Sequence, residues 1–149
     1  MAMGKDALTA REREAWTAFR SLIDAIAPER LEEPGVNAEG WTVKDVLWHV
    51  AYWWDDVAGM LDEMRTGSFV EPPEDEAATD AENARVLEAS RAMSLAEVEQ
   101  GLDDARGRML AAWEALPEPD EAAERWFVWE TIDHYQEHEA DLRRFAAQG

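Results

Sequence analysis

Apolar residues return at helical spacing along most of the chain, interrupted by stretches rich in proline, glycine and acids. From Asp6 to Ile26, Leu8, Ala15, Trp16, Phe19, Leu22, Ile23 and Ile26 recur at intervals that place them on one side of a helix, with Arg11, Glu12, Arg13, Glu14 and Arg20 between them. Pro28, Pro34 and Gly35 break the pattern, so Glu29 to Glu39 is expected to be a connection. Thr42 is then a good N-cap, Asp45 sits where a capping-box acid belongs, and Trp41 and Val46 are placed to form a hydrophobic staple. A second helix starts there. Its stripe Val43, Val46, Leu47, Val50, Trp54, Val57, Leu61 and Met64 faces a core, while Asp55, Asp56, Asp62 and Glu63 face outward.

Gly67 to Ala77 carries Pro72, Pro73 and four acids and reads as a long exposed connection. Thr79 to Ser90 is a weaker helical segment. Ser94-Leu-Ala-Glu97 is a capping-box signature that opens a third main helix through Val98, Leu102, Met109, Leu110, Trp113 and Leu116, which Gly101 and Gly107 weaken without ending it. After the break Pro117-Glu-Pro-Asp120, Glu121 to Ala147 is expected to be one final helix. Along it Phe127, Thr131, His134 or His138, Leu142 and Phe145 follow at spacings of three or four. Four long helices without a strand pattern predict an all-α, single-domain four-helix bundle over residues 1–149.

Charge narrows the function. Thirty-four Asp and Glu against fourteen Lys and Arg give a formal charge of −20, which repels phosphate backbones and anionic lipid, so neither nucleic acid nor a membrane surface is an expected partner. No run of about 18 apolar residues occurs, and Met1-Ala-Met-Gly-Lys-Asp6 leads into charged residues instead of a signal-peptide core. A cytoplasmic protein is the expectation. There is no cysteine, which removes disulfides, thiolate ligands and a cysteine nucleophile.

The chain has three histidines. His134 and His138 are spaced i, i+4, which puts two imidazoles on one helical face within reach of a single ion. His49 falls at the flank of the second helix's apolar stripe, beside Trp53, where a residue can border a cleft. If the two stretches meet, His49, His134 and His138 make a three-nitrogen metal site with positions left for water or substrate, the pattern of catalytic rather than structural zinc. Zinc or nickel suits the donors first, and iron or manganese also fits. The bland reading is a pair of hydrogen-bonded or partly exposed histidines. Asp45 and Glu130 each lie one turn before a histidine and are second candidates for orienting an imidazole or acting on a water, against capping and solvated roles. Of eight tryptophans, most belong to a core, but Trp53 and Trp48 are candidates to wall a substrate pocket.

Trp41-Thr-Val-Lys-Asp-Val-Leu-Trp-His49 is similar to the Trp-Ser/Thr-x-x-Glu/Asp-x-Leu-x-His segment of the DinB-like superfamily, which includes YfiT-like metal-dependent hydrolases and the N-terminal domain of mycothiol-dependent maleylpyruvate isomerases. Asp133-His-Tyr-Gln-Glu-His138 completes the resemblance. It implies an up-down-down-up four-helix bundle in which His49, His134 and His138 bind a divalent metal. The chemistry implied is hydrolysis of, or transfer of mycothiol or another low-molecular-weight thiol to, a small electrophilic substrate. Homodimers are common in that superfamily, so a homodimer is carried over as an expectation. A related group, resembling colibactin-resistance proteins, shares the last-helix pattern and implies the alternative of a metal-free bundle that binds or sequesters reactive small molecules.

Overall fold

The computed structural model describes residues 4–149; Met1 to Met3, part of the stretch read above for a leader, lie outside the described residues. The elements, in order, are α1 (Lys5–Asp24), a short 3-10 turn (Pro28–Arg30), α2 (Val43–Thr66), α3 (Glu76–Arg91), α4 (Leu95–Ala115), α5 (Glu121–Val128), a π-helical turn (Trp129–Asp133) and α6 (His134–Ala147). Among the described residues every regular element is helical. None of these helices is long and apolar enough to cross a membrane.

The helix starts follow from local chemistry. Thr42 Oγ1 accepts the Asp45 amide at 3.0 Å while Asp45 Oδ2 accepts the Thr42 amide at 2.9 Å, and Ser94 and Glu97 make the same reciprocal pair at 3.0 Å in each direction. Each box satisfies amides that the first helical turn leaves without partners. Asp75 and Asp120 cap α3 and α5 from their side chains. The segment expected to be only weakly helical is thus a full helix, capped at Asp75 and tied to α2 by polar contacts despite burying only Val86 and Ser90.

The chain forms two compact units. The first comprises the residues up to Val46 together with Pro117–Gly149. Here α1 packs on the π turn and α6. Trp16 and Phe19 lie against Tyr135, with ring centroids 5.4 Å apart in both cases. The connection between α1 and α2 is ordered by Arg30, whose guanidinium lies 4.2 Å over the Phe145 ring, and by Arg144, which donates to the Val36 carbonyl at 2.9 Å.

The second unit, Leu47–Leu116, holds the rest of α2 with α3 and α4. Leu47, Val50, Trp54, Val57 and Leu61 are buried along α2, and Val98, Leu102, Ala105, Met109 and Trp113 along α4. Arg108 of α4 grips Asp55 of α2 with two bonds of 2.8 and 2.9 Å. Asp56, expected to face outward, is half-buried; burial, and then the charge of Glu63, push its carboxyl above the usual range. Helix α2 runs unbroken through the boundary at Val46 and Leu47.

The final helix departs from expectation at one place. A π turn separates α5 from α6. Thr131 Oγ1 donates to the Phe127 carbonyl at 2.6 Å, the acceptor that an α-helix assigns to the Thr131 amide. The hydroxyl gives that carbonyl a hydrogen-bond partner within the π turn. Thr131, Ile132, His134 and Tyr135 are all buried at the junction.

Candidate metal centre

His49 lies in the second turn of α2, a helix whose start is fixed by the Thr42–Asp45 box. It is 7% exposed, and its ring meets the edge of Trp53 at a centroid distance of 6.5 Å. Trp53 is itself oriented, since its indole Nε1 donates to Asn83 Oδ1 at 2.9 Å and Tyr52 meets it edge-on at 5.2 Å. Tyr52 in turn donates to Glu82 at 2.5 Å, and Arg85 contacts both groups. Helix α3 therefore sets the Trp53 ring beside His49.

His134 opens α6 and His138 follows one turn later, their ring centroids 4.9 Å apart. His134 is 6% exposed and His138 is half-buried. Burial pushes the His138 imidazole below its ordinary pKa and outweighs the charge of Asp141, which acts in the opposite direction. His138 is therefore neutral at pH 7, the state in which an imidazole has a lone pair to give a metal. Nearby, burial and the charge of Asp133 raise the Glu137 carboxyl.

His49, His134 and His138 each offer one ring nitrogen, and these nitrogens all lie within 4.8 Å of one another. Three imidazole nitrogen donors without a thiolate suit a first-row divalent ion. The donor set fits the group.

The remaining candidates have settled places. Asp45 is held in the capping box, and Glu130 lies in the π turn. Trp48 packs against α4 at Gly101, so closely that a Cβ on that glycine would stand 2.6 Å from Trp48 Cζ3. Two residues were missed by the sequence reading. Glu12, taken as one of the polar residues between apolar positions, is 1% exposed and accepts a 2.6 Å hydrogen bond from the fully buried Tyr135 hydroxyl. The signal was its register: Glu12 is four residues after Leu8 and seven before Phe19, on the buried stripe itself.

A family model described as the mycothiol maleylpyruvate isomerase N-terminal domain matches residues 13–143. The chain belongs to this family. The matched stretch contains all three histidines and both capping boxes, and the family is one of the DinB- and YfiT-like kind. The chain is also similar to an uncharacterised protein from Escherichia coli UTI89 known from a crystal structure. The TM-score is 0.77 at 15% identity, covering 99% of this chain and 95% of that one. At that identity the likeness concerns the fold, and it agrees with the all-α, DinB-like expectation. No curated protein matches the chain in sequence.

Proposed function

We propose that this member of the mycothiol maleylpyruvate isomerase N-terminal domain family is a divalent-metal-dependent enzyme. Its reaction on this reading is transfer of a low-molecular-weight thiol to a small electrophile, or hydrolysis of such a molecule. The observation that carries the reading is the group of three imidazole nitrogens within 4.8 Å, two of them on residues that are buried. A divalent ion held there would act as a Lewis acid and lower the proton affinity of a water or thiol placed against it. The family's description supports the thiol as co-substrate, with mycothiol the first to try.

The chain's own residues supply binding and orientation. His49, His134 and His138 hold the ion, zinc or nickel first and iron or manganese next. Burial keeps His138 neutral, so no proton has to leave it before it can ligate at pH 7. The Thr42–Asp45 box and the Trp53–Asn83 bond fix the helix and the aromatic neighbour that set His49. Trp53 offers an apolar ring surface to a small substrate.

The test is a screen of metal-loaded and chelator-stripped protein for consumption of mycothiol and other small thiols in the presence of small electrophiles, alongside hydrolysis of activated esters and amides. Turnover that requires the ion and disappears in His138→Ala supports the reading. Ligand-induced quenching of tryptophan fluorescence that is indifferent to metal, with no turnover, would replace it with a sequestering module.

A further inference from the structure

Glu12 and Tyr135 place a carboxylate and a phenol in the apolar interior of the first unit. Glu12 is 1% exposed, Tyr135 is fully enclosed, and the hydroxyl donates to Glu12 Oε2 at 2.6 Å. The phenol ring packs beside both Trp16 and Phe19, 5.4 Å from each between centroids, and those two rings are themselves 5.6 Å apart. Removing a carboxyl group from water is costly unless it is hydrogen-bonded, and here the phenol supplies one such bond. A leucine or methionine at position 12 would fill the Leu8–Phe19–Ile23 stripe without that cost. Core stability alone therefore does not account for the pair.

Its place in the fold does. Tyr135 is the second residue of α6 and so the second after the π turn, adjacent to His134 and three residues before His138. A π turn interrupts the continuous i to i−4 ladder, so the rotation of the helix that follows depends on tertiary contacts at the junction. Through Tyr135, α1 holds the first turn of α6 by a directional bond.

We propose that Glu12 and Tyr135 are positioning residues that fix the rotation of the first turn of α6, and with it the directions of the His134 and His138 imidazoles. The consequence for metal affinity rests on the reading under Proposed function; the orientation of the two rings does not.

Two variants separate the hydrogen bond from the charge. Tyr135→Phe keeps the ring against Trp16 and Phe19 and removes the donor, whereas Glu12→Gln keeps an acceptor for the phenol and removes the charge. Long-range 1H–15N spectra of the histidine rings in metal-free protein read orientation directly. Zinc competition against a chromophoric chelator and the absorption spectrum of the Co2+-loaded protein read its consequence. In Tyr135→Phe the His134 and His138 ring signals are expected to move and broaden, and zinc affinity to fall roughly tenfold, as for loss of other groups that orient metal-ligating histidines. The Co2+ spectrum changes with them, while Glu12→Gln stays close to the parent protein. A Glu12→Leu, Tyr135→Phe double variant, which leaves no buried polar group behind, guards against misfolding and should show the same ring-signal changes. Unchanged His134 and His138 signals in folded Tyr135→Phe would overturn the proposal. If the parent protein takes up no zinc or cobalt but the ring signals still move in Tyr135→Phe, the metal reading falls and the positioning role stands.

Discussion

Alanine should stabilise the protein at Gly107 but not at Gly101, although both glycines belong to α4. In an open helical position Gly→Ala stabilises by about 1 kcal/mol, because alanine has less backbone freedom to lose and a better helix propensity. At exposed Gly107 a new Cβ has nothing within 4 Å, so Gly107→Ala should gain about 0.5–1 kcal/mol. At Gly101 the same atom meets Trp48 Cζ3 at 2.6 Å, Cη2 at 3.3 Å and Cε3 at 3.6 Å. Relieving the first overlap takes a ring or helix shift of close to 1 Å, and overpacking of that kind costs about 1–3 kcal/mol. The propensity gain is offset or exceeded, leaving Gly101→Ala between roughly neutral and 2 kcal/mol less stable. Urea or guanidinium unfolding of the two variants, compared at equal m-value, should separate them by about 0.5–3 kcal/mol. Equal stabilisation by both would refute the reasoning. It would mean that the Trp48 ring swings aside freely, as a ring bordering open space can.

Other changes follow from the local chemistry. Asp56→Asn should raise stability at pH 7 by less than about 1 kcal/mol, since the side chain is half-exposed and screened. A carboxyl whose folded pKa lies above its unfolded value favours folding below the unfolded value and loses that contribution as pH rises through the folded one. The advantage of the variant should therefore be present at neutral pH and vanish below about pH 4 in melts across the pH range; a gap that persists in acid would contradict the assignment. Thr42→Ala and Ser94→Ala should each lower unfolding free energy by about 1 kcal/mol through loss of the cap, and denaturation that leaves both unchanged would mean the boxes are not maintained in solution.

How far the sequence spoke depended on whether a feature was local. The Thr42–Asp45 and Ser94–Glu97 boxes are set by residues three apart and were readable as such, as was the i, i+4 pairing of His134 and His138. The π turn was not, because a one-residue widening of the ladder leaves the three- and four-residue spacing of apolar positions nearly unchanged. Gly101 looked like a flaw in α4, and only the approach of Trp48, 53 residues earlier, explains it. Glu12 was set aside for its charge although its register put it on the buried stripe; its partner Tyr135 lies 123 residues away. Composition says where a charged residue usually goes, and only the partner says where this one does.

The central claim is that His49, His134 and His138 together hold a divalent ion. Elemental analysis of untagged protein purified without chelator, set beside a His49→Ala, His138→Ala double variant, tests it most directly. The account predicts near-stoichiometric divalent metal in the first and none in the second, with both folded by circular dichroism. Metal absent from both after incubation with zinc, nickel and manganese, or retained equally by the double variant, would contradict it.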